Sequence, residues 1–245
     1  MIAFLTSSPC IYGAPRAILN PENCFEANLR SCLPPEPRCL FVTSAPDDPV
    51  FTDRVADEMA ACFAEAGLGF SEMYTLDRRN QTDAQMLIWK SDFIMLAGGH
   101  VPTQNAFFRE IGLKELLKNY QGVVLGISAG TMNAADRVYV QPEEPGESVP
   151  EFPRFAEGLG ITGINILPHY QMVKDNYLDG RKLYEDITFA DSWGECFYVF
   201  PDGTYLMVED GKTTLYGEAY WLRDGRMERI SAVGDMVEIE EKIEI

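Results

Sequence analysis

The chain has 245 residues, 46% of them apolar and 11% aromatic, enough to bury a full core, and this length suits one globular domain spanning residues 1–245. The formal charge of -18, with no basic run among the 20 Lys and Arg residues, excludes a nucleic-acid binder, because phosphates would be repelled; a solvated acidic surface accounts for the charge. No apolar run approaches the ~20 residues of a membrane span, and the start Met1-Ile2-Ala3-Phe4 lacks the basic residues of a secretory signal, so the expected location is cytoplasmic, with no membrane partner.

Apolar runs of strand length alternate with stretches of helical period. Residues 2–6 read as a strand and 22–33 as a helix, followed by strand 39–44 and helix 52–66, then strand 70–76 and helix 83–89. Strand 93–97, helix 104–120 and strand 123–127 continue the series, and a short helix follows Ser128. This βαβ succession predicts an α/β fold, a mostly parallel doubly wound sheet with helices on both faces. Within 52–66, Val55, Met59, Ala60, Phe63 and Ala66 mark a core face. Residues 141–155 change texture, with four prolines among acidic residues, and read as a loop at the sheet edge. Strand-like sequence resumes at 161–167, a helix is expected near 181–189, and strands at 196–200, 204–208, 213–222 and 227–231 are separated by Asp-Gly turns, which reads as C-terminal antiparallel β-hairpins.

The six cysteines include no C-x-x-C pair, and several fall in segments that read as buried, so they are expected to be reduced core thiols. His100 and His169 are the only histidines, and neither has a His or Cys within a few residues. No metal and no other cofactor is expected.

The segment Gly126-Ile127-Ser128-Ala129-Gly130 lies between the apolar run 122–125 and the helix-compatible residues after it. A serine at such a strand-to-helix turn projects from the strand's carboxyl end, with the next residue's N–H facing a developing oxyanion; the plain alternative is a tight turn. A serine hydroxyl needs a base. His169 and His100 both follow strand-like runs and fall at the same sheet edge as Ser128. Gly98-Gly99 would let a backbone N–H join that of Ala129 around an oxyanion, or simply form a turn. A carboxylate should orient the histidine; Asp202, at the end of a strand, is preferred over Glu143 and Glu144, with Asp136 a weaker choice.

The motifs LAGGHVPTQN, LGISAGTMNAA, ILPHYQ and FPDGTYLMVEDG, spread over residues 93–210 in this order, resemble peptidase family S51, which contains dipeptidase E and cyanophycinase and whose fold is similar to class I glutamine amidotransferases. The resemblance implies Ser128 as nucleophile, His169 as base, and the N–H groups of Gly99 and Ala129 as oxyanion hole. Dipeptidase E shows Gly-Gly-Gly-Asn where this chain has Ala97-Gly98-Gly99-His100, with Val101-Pro102 extra, so the substrate-facing loop is altered and His100 becomes a substrate-binding candidate. In dipeptidase E an Asp some fifteen residues after the serine has been assigned to the triad, and that count lands on Glu143. Other members use an acidic residue in a strand-end motif that matches Asp202. Arg181 lies in roughly the segment that supplies the cation for an acidic first residue in dipeptidase E.

The resulting reading is a serine peptidase of the dipeptidase E type, with a small peptide substrate cleaved through an acyl-enzyme on Ser128. A non-catalytic binding descendant of the fold is the alternative, and a glutamine amidotransferase-like amidase is disfavoured because those enzymes need a cysteine at the turn. Oligomeric state is left open.

Overall fold

The computed structural model describes residues 1–240. Five strands, β1 (Ile2–Thr6), β2 (Arg38–Val42), β3 (Glu72–Leu76), β4 (Phe93–Leu96) and β5 (Val123–Ile127), pair in parallel in the order β1-β5-β4-β2-β3. β1, β2, β4 and β5 are almost continuously apolar because both faces are covered, while the edge strand β3 is only partly buried. Side chains alternate across a strand. Leu40, Val42, Ile94, Leu96 and Val124 therefore share one face with the core that takes in α3 (Ala84–Lys90) and α5 (Leu113–Leu117). Phe41, Phe93, Met95, Val123 and Leu125 pack on the other with Phe25 and Leu29 of α1 (Phe25–Cys32) and Met59 and Phe63 of α2 (Pro49–Glu65). Each such fully buried side chain contributes roughly 1.5–3 kcal/mol. Helices on both faces make the sheet doubly wound, as the βαβ pattern predicts.

Sheet order and chain order part company after β5. The short strands β6 (Arg137–Tyr139) and β7 (Phe155–Glu157) pair antiparallel, and the acidic loop between them is closed by Val140 N–H donating to Arg154 O at 2.7 Å. Beyond it come β8 (Asn165–Leu167), the two-residue hairpin β9 (Tyr177–Leu178) and β10 (Arg181–Lys182), and β11 (Cys196–Val199). The tail supplies β12 (Tyr205–Glu209), β13 (Lys212–Tyr216), β14 (Ala219–Arg223), β15 (Arg226–Ser231) and β16 (Met236–Ile239). β12 joins the main sheet antiparallel to β1, and β13 and β16 extend it to eight strands; β8, β11, β14 and β15 form a second, four-stranded sheet.

Several expectations change here. Residues 213–222 are not one strand, because Gly217 adopts φ +101 and turns the chain out of the main sheet, leaving β13 in one sheet and β14 in the other. Pro201-Asp202-Gly203 is not a hairpin turn, since β11 and β12 belong to different sheets and this stretch is the crossing between them. The Asp210-Gly211 and Asp224-Gly225 turns are hairpins, with left-handed φ at both residues of each, as a two-residue loop of this kind requires. The stretch 104–120 starts earlier, as α4 (Val101–Glu110), and breaks at Gly112, whose φ of +65 starts α5 anew. Residues 22–33 begin with a turn, Glu22–Cys24, whose Asn23 and Cys24 have positive φ and delay α1 to Phe25. Near 181–189 the chain forms a π-helical turn, Leu183–Thr188, leading into α8 (Phe189–Asp191), and within 161–167 only β8 is strand. β16 carries no signal that the sequence reading used. Of the cysteines, only Cys39 and Cys62 are buried, while Cys24 and Cys196 are exposed; all six are free thiols. Among the described residues, no helix is long and apolar enough to cross a membrane.

Candidate active site

Ser128 follows β5 and leads into α6 (Ala129–Met132) with φ +51 and ψ -112, a conformation that L residues rarely adopt. The strained backbone is held by its own N–H, which lies 3.0 Å from Ser7 O and 3.2 Å from Thr6 O, the carbonyls that end the neighbouring strand β1. The flanking glycines serve by their small size. Neither Gly126 nor Gly130 takes a positive φ; each permits close approach instead. A Cβ on Gly126 would fall 2.7 Å from Thr131 Oγ1, and one on Gly130 would run into the Leu96 carbonyl of β4. The turn at Gly98-Gly99 follows β4 and abuts the serine, since a Cβ on Gly98 would sit 3.2 Å from Ser128 Cβ. Gly99, at φ +151, has no room for a side chain against Ser44, whose hydroxyl donates to Gly98 O at 2.5 Å.

His169 and Asp202 meet because β8 and β11 are parallel neighbours. Leu167 pairs with Val199, so the residues just past both strands emerge side by side. His169, at φ +59, precedes α7 (Tyr170–Val173), and its Nδ1 lies 2.7 Å from Asp202 Oδ1. The Asp202 side chain is only 6% exposed. Burial opposes its charge, but hydrogen bonds from His169 and Ser7, with the His169 charge, outweigh that and hold the carboxyl below the ordinary Asp value. Its backbone N–H donates to Gln171 Oε1 at 3.0 Å.

The remaining carboxylates stand elsewhere. Asp136 is 71% exposed and pairs with Lys114 at 3.2 Å. Glu144 is exposed on the acidic loop. Glu143 lines, with His169, Met132, Gln141 and Leu183, a cavity of about 200 Å³. Although the residue as a whole reaches solvent, the packing around its carboxyl raises it to about 7, with Glu147 and Glu144 adding to the rise and His100 and His169 opposing it. A larger cavity, about 700 Å³, is lined by Tyr198, Trp221, Glu228 and Val237 and holds none of the candidate residues.

His100 caps the start of α4, with Nδ1 2.8 Å from Thr103 Oγ1 and Nε2 2.9 Å from Glu147 Oε1. Glu147 Oε2 in turn accepts from the backbone N–H groups of Glu143 and Glu144, so His100 pins the acidic loop over the site. Ligand atoms of His100, Glu144 and Glu147 lie within 4.8 Å of one another, and these are the residues that could gather round a cation here. Arg181 donates to Ser148 O at 3.1 Å and Asp186 O at 2.6 Å, and it is not among the residues lining the 200 Å³ cavity.

The sequence reading missed Ser7 and Gln171, both of which bond to Asp202. The available signal was polarity at a strand end: Thr6 and Ser7 close an otherwise apolar first strand, and both are buried.

The model of Peptidase family S51 matches residues 22–216. The chain belongs to peptidase family S51. It is a serine-type peptidase by that membership. Two solved structures are similar to this S51 chain in fold. A crystal structure of a peptidase from an acI-B1 Actinobacterium is 16% identical, with a TM-score of 0.68, covering 97% of this chain and 96% of that one. A candidate Peptidase E protein from Listeria monocytogenes EGD-e is 15% identical, with a TM-score of 0.58, covering 94% and 98%. No curated protein matches the S51 chain.

Proposed function

We propose that this S51 peptidase hydrolyses short peptides or isopeptide-like amides through an acyl-enzyme on Ser128, with His169 as general base and Asp202 as the carboxylate that orients it. The observation that carries this reading is the 2.7 Å contact of His169 Nδ1 with Asp202 Oδ1, which Ser7 ties to the strained turn at Ser128. An ionised carboxylate only accepts hydrogen bonds. Nδ1 therefore carries the proton, and Nε2 is left with a lone pair for the serine hydroxyl.

In this reading Ser128 Oγ attacks the scissile carbonyl carbon while Nε2 takes the hydroxyl proton. The carbonyl electrons move onto oxygen, toward the N–H groups of Gly99, next to the Gly98 that abuts the serine, and of Ala129, which follows it in the chain. Collapse of the tetrahedral species breaks the C–N bond, and His169 passes its proton to the departing amine. Water, deprotonated by the same nitrogen, then hydrolyses the ester. The cavity beside His169, about 200 Å³ and not lined by Ser128, is smaller than the roughly 300–1,000 Å³ of ordinary ligand sites, so in this reading it takes a small group of a short substrate. His100, beside Gly99 and tied to the acidic loop, shapes the substrate-facing wall. Selection of an acidic first residue, as in dipeptidase E, would need Arg181 to leave the two carbonyls it holds.

Fluorophosphonate capture tests the reading. The wild-type chain should be labelled at Ser128 and hydrolyse members of a dipeptide library; a folded protein that is inert to both would be a binding descendant instead.

A further inference from the structure

We propose that Ser7 is a positioning residue of this centre, one side chain and one carbonyl that set Ser128, His169 and Asp202 in register with one another. The inference rests on the peptidase reading above, and adds to it a residue outside the triad. Ser7 follows β1, the strand between β5 and β12 in the main sheet. It is fully buried, at 0% exposure. Its hydroxyl lies 2.7 Å from Asp202 Oδ1 and 2.7 Å from the backbone nitrogen of His169, and its carbonyl lies 3.0 Å from the backbone nitrogen of Ser128.

The directions of these bonds are fixed. A backbone N–H can only donate and a carboxylate can only accept, so the Ser7 hydroxyl accepts from His169 and spends its single proton on Asp202. A single hydroxyl oxygen both accepts and donates here, and an apolar side chain of this size does neither. Three chain segments, separated from Ser7 by 121, 162 and 195 residues in sequence, thus converge on it. The oxygen it contacts on Asp202 is also the one that accepts from His169 Nδ1, so Ser7 fixes that oxygen's direction and shares its charge. The contacts therefore reach beyond satisfying a buried hydroxyl. Without the hydroxyl, the carboxylate gains freedom to rotate and His169 loses the anchor of its backbone N–H.

The titratable groups facing this point are His169 and Asp202 themselves, Glu143 from the acidic loop, whose charge acts on His169, and Cys10 from the segment after β1, on which the Asp202 charge acts. Removing the Ser7 proton donor leaves more negative charge on Oδ1 for the imidazole, which favours the protonated ring.

The test uses the full-length protein and two readouts. The rate of Ser128 capture by a fluorophosphonate is followed against pH, and the two imidazoles are titrated by NMR, with His100 as internal control. For Ser7→Ala we expect capture slowed on the order of 10²-fold, the cost of misplacing reacting groups by about 1 Å, with the His169 midpoint moved to higher pH, that of His100 unmoved, and the unfolding temperature close to wild type. Ser7→Thr, which keeps a hydroxyl, should restore much of the rate and the original His169 midpoint. A Ser7→Ala protein with wild-type capture and an unmoved His169 midpoint overturns the proposal, as does a shift shared equally by both histidines, which would signal general loosening. If wild type and Ser128→Ala were equally unlabelled while the His169 midpoint still moved in Ser7→Ala, the Ser7 link would stand and the peptidase reading would fall.

Discussion

His169 and Asp202 stand 2.7 Å apart although 33 residues separate them, because parallel pairing of β8 with β11 delivers both to one sheet edge. That edge belongs to the second sheet, and Ser7, which follows β1 of the main sheet beside the β5 strand that precedes Ser128, joins the two through its bonds to Asp202 and His169.

Ser128→Ala should leave the fold intact and remove fluorophosphonate capture. Peptide turnover should fall by about 10⁶, the scale of losing a triad serine. Hydrolysis at the wild-type rate by a folded Ser128→Ala protein would exclude this serine as nucleophile.

The two histidines should separate by kinetic signature. His169→Ala removes the base and should abolish acylation. His100→Ala releases Glu147 and with it the acidic loop, so KM or substrate preference should change more than kcat. Steady-state kinetics on both variants checks this, and exchanged behaviour would exchange the roles.

Asp202→Asn keeps the shape but presents an amide to Nδ1 and favours the wrong tautomer. In a serine-protease triad the analogous change costs about 10⁴ in kcat, and a loss in that direction is expected. A Glu143→Gln/Glu144→Gln double variant should retain most of kcat, because neither carboxyl bonds to His169. Stability should also respond to pH. The Asp202 carboxyl is held below its ordinary value, so its contribution is present above the unfolded value of about 3.9 and fades as pH falls through the folded value. The unfolding-temperature gap between wild type and Asp202→Asn should therefore narrow on acidification.

Glu143 gives the opposite sign. Its carboxyl is raised to about 7 by burial, so folding favours the protonated form, and the stability this confers is full below the unfolded value of about 4.3 and lost as pH rises through 7. Glu143→Gln should match wild type near pH 4 and exceed it at pH 8. Allowing for the exposure of its residue, the gain is on the order of 1 kcal/mol, or about 2–4 °C in Tm. Calorimetry at the two pH values reads it directly.

Gly130→Ala should be poorly tolerated for a reason of space, since its Cβ would meet the Leu96 carbonyl of β4. We expect a loss of about 1–3 kcal/mol, the usual cost of overpacking, and reduced Ser128 reactivity as α6 moves away. Denaturant unfolding and capture rates measured together check both effects.

Local pattern carried the parallel half of the fold. β1, β2, β4 and β5 are short, mostly apolar runs, and the residues flanking them show helical period, so the sequence could be read a window at a time. The same locality made Ser128, His169 and Asp202 legible as strand-end residues. It failed where one pattern serves two outcomes. Residues 213–222 look like a single strand, yet Gly217 sends their halves to different sheets, and Asp202-Gly203 looks like a hairpin turn while serving as the crossing between sheets.

The alternation of apolar runs, the G-x-S-x-G turn and the chemistry of its flanking residues lie in the amino-acid order itself, because each depends only on neighbours along the chain. Which carboxyl stands beside His169, that Arg181 bonds to backbone carbonyls, and that Ser7 joins three distant segments were decided by tertiary structure. Those contacts span up to 195 residues and arise from strand pairing and from the meeting of two sheets, which leave no periodic trace in the segments that they bring together.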